Sequence, residues 1–204
     1  MVKDANEILS SDRIFKPRGR DTFAEFSNIF RYKLLHEKGG VWVDSDIVCL
    51  KSFDFKAEHV IASQFKPKSS FGCRRRQATN CVLKAPKGSK LMEYCYQMAN
   101  NKSPEQLKWG DTGPNLVHYL VNKFNYRKSV VNPNVFCPVN FWDWQILPGS
   151  TSLGEKGIKL KQIKYELKKL WHPPLTLSIS GMRCGAEAMP IKMRSIPKIV
   201  FMSN

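Results

Sequence analysis

The sequence lacks several things that would have decided its class at once. It has no run of about 18 apolar residues of the kind that crosses a bilayer, and its first residues show no basic-then-apolar leader pattern. Neither a membrane span nor a secretory signal is expected. Its six cysteines, Cys49, Cys73, Cys81, Cys95, Cys137 and Cys184, stand singly, without the paired spacing of a structural zinc site. Scattered thiols fit a reducing compartment, so the expected location is the cytoplasm. Acids are scarce as well, with 17 Asp and Glu against 33 Lys and Arg and a formal charge of +16. Such a balance can mark a nucleic-acid binder, yet the basic residues are spread out. The one tight cluster, Arg74-Arg75-Arg76, follows the loop-like Lys66-Pro67-Lys68-Ser69-Ser70 and reads as a solvated patch. No nucleic-acid partner is expected; association with a membrane surface stays open.

What is present is enough for one core. The chain has 204 residues, 42% apolar, with five Trp and twelve Phe, which is a normal complement for one globular domain. Its most informative stretch runs from Phe26 to Phe55. Phe23, Phe26, Phe30, Leu34 and Leu35 recur at three- and four-residue steps, predicting a helix with one apolar stripe and with Arg31, Lys33 and Lys38 elsewhere on its surface. Gly39-Gly40 ends that helix, since glycine accepts positive φ without a side-chain clash. Val41-Trp42-Val43 and Ile47-Val48-Cys49-Leu50 then read as strand, apolar on both sides as a strand covered on both faces would be.

Asp44-Ser45-Asp46 interrupts that apolar run. An unpaired buried carboxylate costs several kcal/mol, so two of them at the end of a core strand call for a cation or dense hydrogen bonding. In the metal reading Asp46 ligates a divalent ion, Asp44 reaches ribose, sugar or a bound water, and the ion also holds two oxygens of a diphosphate. The plain alternative is a solvated turn that contains two acids.

Ser27-Asn28-Ile29-Phe30-Arg31, followed by Leu34-Leu35-His36-Glu37-Lys38-Gly39-Gly40-Val41-Trp42-Val43-Asp44-Ser45-Asp46, resembles the Asp-x-Asp glycosyltransferases of the capsular-polysaccharide and α-1,4-galactosyltransferase type. The resemblance implies an α/β fold of the A-type, Rossmann-like nucleotide-diphospho-sugar transferase class. It also implies Mn²⁺ or Mg²⁺ on Asp44 and Asp46, and a nucleotide-sugar donor, a UDP-sugar first, contacted by Ser27, Asn28, Arg31 and Asp44. Asn28 stands where the family carries aspartate, a change that keeps hydrogen bonding to a hydroxyl and bears on donor preference or affinity.

Further along, Ser52-Phe53-Asp54-Phe55 is similar to a turn of the same family, and Val60 to Ser63 reads as the next strand. Thr79 to Ala85 is a strand ended by Pro86-Lys87-Gly88, with Ser89 capping a helix from about Lys90 to Asn100 that buries Leu91, Cys95 and Met98. Asn80 faces the donor or serves the strand. Trp109-Gly110-Asp111-Thr112-Gly113-Pro114 matches a family signature; Gly113 permits close approach to a ligand, Pro114 opens a helix through Leu116, Leu120 and Val121, and Asp111 is the expected catalytic acid. Without the family, the same segment is an ordinary helix start with Trp109 in the core. Val135 to Trp144 is aromatic-rich, a sugar platform or core packing.

Two regions depart from the family pattern. Residues 1–20 read as a short amphipathic piece and a basic loop, so the first βα unit that supplies base contacts in such domains is expected to be missing. After a helix-like pattern from Lys156 to Trp171, no period appears, and residues 151–204 hold ten basic residues against three glutamates. Read one frame over from Leu175, the tail is compatible with Tyr/Asn-Ala-Ile-His-Leu-Trp-Asn-Glu-Met-Trp-Arg, similar to the family's ending, with its histidine overwritten at Ser178 and Ile179. The organisation expected is a transferase domain over 1–170 and a frame-shifted tail over 171–204. The function expected is transfer of a sugar to a glycan or lipid-linked acceptor in surface polysaccharide synthesis. The competing reading is an inactive remnant that binds a glycan or protein partner.

Overall fold

A computed structural model describes residues 3–49, 52–66, 75–140 and 177–178. The apolar stripe becomes one side of α1 (Ala24–Lys38), with Phe30, Leu34 and Leu35 buried, while Phe23 falls just before the helix and is exposed. Arg31, expected on the outside, is only 5% exposed. The reason is a second buried side of α1, polar rather than apolar, made of Asn28, Arg31 and the fully buried Tyr32. At the start of α1, buried Glu25 takes Arg20 at 2.6 Å, a carboxylate placed where the helix dipole favours negative charge.

Gly39 ends α1 at φ +70°, its N–H donating to Leu35 O. A Cβ there would lie 2.6 Å from the Lys87 backbone nitrogen. The glycine is thus required twice, by its φ and by the close passage of the Pro86–Lys87 turn.

Three strands follow, β1 (Gly40–Val43), β3 (Val60–Phe65) and β4 (Arg76–Ala85), in the order β1-β4-β3 with both pairings antiparallel. Between them β2 (Ile47–Val48) pairs antiparallel with β5 (Leu177–Ser178) as a separate ribbon. The strand expected inside a parallel sheet is thus the edge of the described sheet, antiparallel to its neighbour. Its apolar character on both faces is real, however. Trp42 joins the core beneath the helices, and Val41 and Val43 pack with Phe53, Phe55 and the buried Phe136 on the opposite face. Coverage from both sides produces the same apolar run in an edge strand as in a central one.

The β3–β4 ladder contains a wide irregularity. Ile61 pairs with Leu83 and Ser63 with Ala78, so the four residues Thr79 to Val82 stand opposite the single residue Ala62. A bulge of this kind re-aims backbone groups that a regular ladder would consume.

Helix α2 (Lys90–Asn100) begins at Ser89, whose hydroxyl accepts from Met92 N. It buries Leu91, Met92, Cys95 and Ala99 against α1, whereas Met98, expected inside, is 38% exposed. The buried row advances by three and four residues and passes Met98 by one position. Helix α3 (Pro114–Lys123) has its proline in the first turn and packs on β4, and the short α4 (Pro133–Phe136) brings Phe136 onto Phe53 with nearly parallel rings 5.8 Å apart. Residues 3–23 contribute two 3₁₀ turns, Ala5–Glu7 and Ser11–Arg13, with Ile8 and Leu9 buried in the main core. Cys49 and Cys95 are free thiols, and the buried sulfurs of Cys81 and Cys137 lie 3.7 Å apart. Cys73, Cys184, Arg74, the aromatics Phe141, Trp142 and Trp144, the helical pattern of 156–171 and nearly all of the tail lie outside the described residues.

Candidate functional site

The buried polar side of α1 is one wall of a network that α3 and the β4 bulge complete. Asn80 Nδ2 donates to Asn28 Oδ1 at 2.7 Å, and Asn28 Nδ2 donates to Thr112 Oγ1 at 3.1 Å. Tyr32 OH donates to the Thr112 carbonyl at 2.8 Å and accepts from Asn80 Nδ2 at 3.3 Å. Four buried side chains from three distant segments therefore satisfy one another, as burial of polar groups requires. Gly113 closes the gap, because a Cβ at that position would press on Asn28 Nδ2 at 3.1 Å.

Arg31 links this network to the acidic turn. Its Nη1 donates to the Asn80 carbonyl at 2.6 Å and to Asp44 Oδ1 at 2.8 Å. Nε and Nη2 go to the carbonyl and hydroxyl of Ser27. The guanidinium lies over the Trp42 ring, 4.7 Å from its centroid, and the same indole donates from Nε1 to Asp44 Oδ1 at 2.7 Å. Stacking and bidentate reach are properties of arginine that lysine would not supply. The bulge contributes directly, since the Asp44 N–H donates to the Cys81 carbonyl, one residue past the carbonyl that holds Arg31.

Asp44 immediately follows β1 and Asp46 lies two residues on, both half-buried in a turn closed by Ile47 N donating to Asp44 O. Arg31, Asp44, Asn28, Asn80 and the Gly113 start of α3 are thus joined by direct contacts into one site. Ser27 is attached to it through Arg31. Asp111 is not: its carboxylate accepts from Lys108 N at 3.2 Å and stands 3.8 Å from Lys102 Nζ, within its own turn. Trp109 projects outward, 56% exposed, rather than into the core.

The Arg31 N–H groups serve Asp44, Asn80 and Ser27, and Asn28 engages both ends of its amide within the protein. Three organising residues escaped the sequence reading, namely Tyr32, Trp42 and Thr112. Tyr32, one helical turn from Asn28, was the findable one, since i and i+4 share a face.

The acidic turn suits a hard cation in part. Among the described residues there is no cluster of three His, Cys, Asp or Glu, and the acidic turn presents two carboxylates, Asp44 and Asp46. A magnesium-type ion held by one or two carboxylates with substrate phosphate oxygens filling other positions needs no more.

Against known proteins, residues 13–104 match the capsular polysaccharide synthesis protein family. No curated protein matches the chain. Among solved structures, one titled "PaToxG Glycosyltransferase" aligns with 14% identity and a TM-score of 0.40 over 59% of this chain, which spans 38% of that one. Residues 13–104, which carry α1, the acidic turn, the β4 bulge and α2, are thus the part of the chain that is similar to that family.

Proposed function

We propose that this protein is a glycosyltransferase of the A-type α/β class that moves a sugar from a nucleotide-sugar donor, a UDP-sugar first, to a glycan or lipid-linked acceptor in surface polysaccharide synthesis. In this reading the transfer is cytoplasmic and retains anomeric configuration. The observation that carries the proposal is the acidic turn held by a buried arginine. Asp44 is fixed by Arg31 and Trp42 in the turn that also bears Asp46, and the similarity of this segment to the capsular polysaccharide synthesis protein family supports the same assignment.

Asp46, with Asp44 behind it, would hold a divalent ion, Mn²⁺ or Mg²⁺, whose chemistry is to offset charge on a diphosphate leaving group. The chain's own part is positional. Arg31 fixes the Asp44 carboxylate so that little reorganisation is needed when a donor arrives. Asn28, held by Asn80, bonds Thr112 just before Gly113 and so positions the first amides of α3. Asp111, on the same turn as Gly113 but facing Lys102, would meet an acceptor hydroxyl only from the outer edge of the site.

Titration of manganese together with UDP-sugars, followed by calorimetry and by donor hydrolysis, tests the reading. Saturable binding that disappears in Asp46→Ala supports it. If the folded protein binds no donor with either metal, the transferase assignment is lost and a binding-only role remains.

A further inference from the structure

The face of α3 that does not meet Asn28 and Asn80 carries a second feature. Between α3 and the start of β4 lies an open cavity of about 500 Å³, lined by Lys66, Gln77, Asn115, His118, Tyr119 and Lys123 among others. We propose that this cavity binds a sugar bearing a carboxylate or phosphate, as the acceptor subsite of the transfer proposed above. The acceptor role rests on that reading; the anion binding does not.

Charge is the first argument. The lining has two lysines and no acid, and neither ammonium forms an ion pair with a described carboxylate. The His118 imidazole registers the same field: burial first, then Lys66 and Arg127, hold its pKa below the usual value. A neutral ring is also what its Nδ1 requires in order to accept from Ala78 N at 3.2 Å.

The second argument is the mixture of surfaces. Buried Gln77 donates from Nε2 to Asn115 Oδ1 at 2.9 Å, which fixes an amide pair in the wall. Tyr119 presents a ring 50% exposed, with Lys123 Nζ 5.6 Å from its centroid. Fixed amides for hydroxyls, an aromatic face for the apolar side of a pyranose and ammonium groups for an anion together describe an acidic sugar. A bare phosphate would not need the ring.

Position is the third. Gln77 and Asn80 lie three residues apart on β4, about 10 Å at strand rise. At the start of the facing helix the missing Cβ of Gly113 leaves room for Asn28 and Asn80, while Asn115 lines the cavity. Strand β4 and helix α3 with its N-terminal turn thus contribute residues both to the Asn28–Asn80 network and to the cavity.

The test uses the full chain without metal or nucleotide sugar, titrated by calorimetry with methyl glucuronide, a hexose monophosphate, inorganic phosphate and neutral methyl glucoside. Binding of either charged sugar at least about tenfold tighter than the glucoside is expected, the worth of one charge-assisted hydrogen bond. Which charged sugar binds better identifies the anion. The double variant Lys66→Gln/Lys123→Gln should lose that advantage with its thermal unfolding unchanged, because both side chains are exposed. Equal binding of the glucoside, or full retention by the double variant, overturns the proposal; inorganic phosphate binding as tightly as the hexose monophosphate overturns its sugar part. Anion binding without any nucleotide-sugar binding would remove the acceptor role and keep the site. Nucleotide-sugar binding without anion binding would remove the site and leave the transferase reading intact.

Discussion

Arg31 Nη1 stands 2.8 Å from Asp44 Oδ1 and 2.6 Å from the Asn80 carbonyl, so one nitrogen ties helix α1 to the acidic turn and to the β4 bulge. The two contacts are unequal in energy. Asp44 is partly open to water, its side chain 29% exposed, whereas the Asn80 carbonyl belongs to a residue only 5% exposed. The arginine should therefore matter more to the fold than its acidic partner does.

Arg31→Met is expected to lower the unfolding free energy by about 3 kcal/mol, since it strands buried acceptors as well as breaking an ion pair. Asp44→Asn, which keeps an acceptor oxygen beside Trp42, should cost under about 1 kcal/mol. Urea unfolding of both variants checks the asymmetry. Equal losses would mean that the bulge does not depend on Arg31.

Tyr32→Phe removes the donor to the Thr112 carbonyl and the acceptor of Asn80 Nδ2 without opening a cavity. A loss of about 1–2 kcal/mol is expected, the cost of buried groups left unpaired. The same variant loosens the start of α3. Faster amide exchange at Gly113 and Asn115 than in the parent would report it, and unchanged exchange there would show that Asn28 alone holds the helix start.

Two glycines separate φ strain from steric contact. Gly88 has φ +76° and nothing within 4 Å of a built Cβ, so Gly88→Ala should cost about 1 kcal/mol from φ alone. Gly39 has nearly the same φ, and its Cβ would meet Lys87 N at 2.6 Å. Gly39→Ala should cost at least about 2 kcal/mol more, because backbone must move. Thermal unfolding of the pair gives the difference directly.

Two histidines contribute to the pH dependence of stability on the acid side. Burial lowers the pKa of His59 below 6.5, as burial with Lys66 and Arg127 lowers that of His118. A depressed folded-state pKa means that the unfolded chain binds the proton more readily. Stability from these groups is complete above about pH 6.5 and declines as pH falls through their lowered values. The contacts agree with the sign, since His59 Nε2 lies 2.9 Å from the Ser89 hydroxyl that caps α2, and His118 Nδ1 accepts from Ala78 N. Melting temperature measured from pH 7.5 downward should fall below about pH 6.5. The fall should shrink in His59→Gln, and an unchanged slope in that variant would assign the loss elsewhere.

Much of the local structure was legible in the chain itself. Helix α1, its glycine stop, the strand after it, the serine cap of α2 and the proline opening of α3 depend on residue types acting on their neighbours: apolar period, positive φ, a hydroxyl beside orphan amides, a missing N–H. Sequence also singled out Asp44 and Asp46, because two acids in an apolar run are anomalous wherever the strand lies. Arg31 was named with the wrong surroundings. A polar residue on an amphipathic helix is assigned to solvent by default, and nothing local reveals that Asn28 and Tyr32 beside it face Asn80 and Thr112.

Other features depended on where distant segments came to rest. Both faces of β1 are covered, so its apolar run could not distinguish an edge strand in an antiparallel ladder from a central parallel one. The bulge from Thr79 to Val82 left no mark in the apolar pattern, because a register shift exists only relative to a partner strand. Asp111 turned toward Lys102 and Trp109 toward solvent for a similar reason: their turn is held by Thr112 and Gly113 against α1 and β4. Sequence thus determined the elements and the anomalous acids through short-range sterics and hydrogen bonding. The tertiary structure alone decided which polar groups share a buried site, since one buried guanidinium must find its acceptors wherever the fold has brought them.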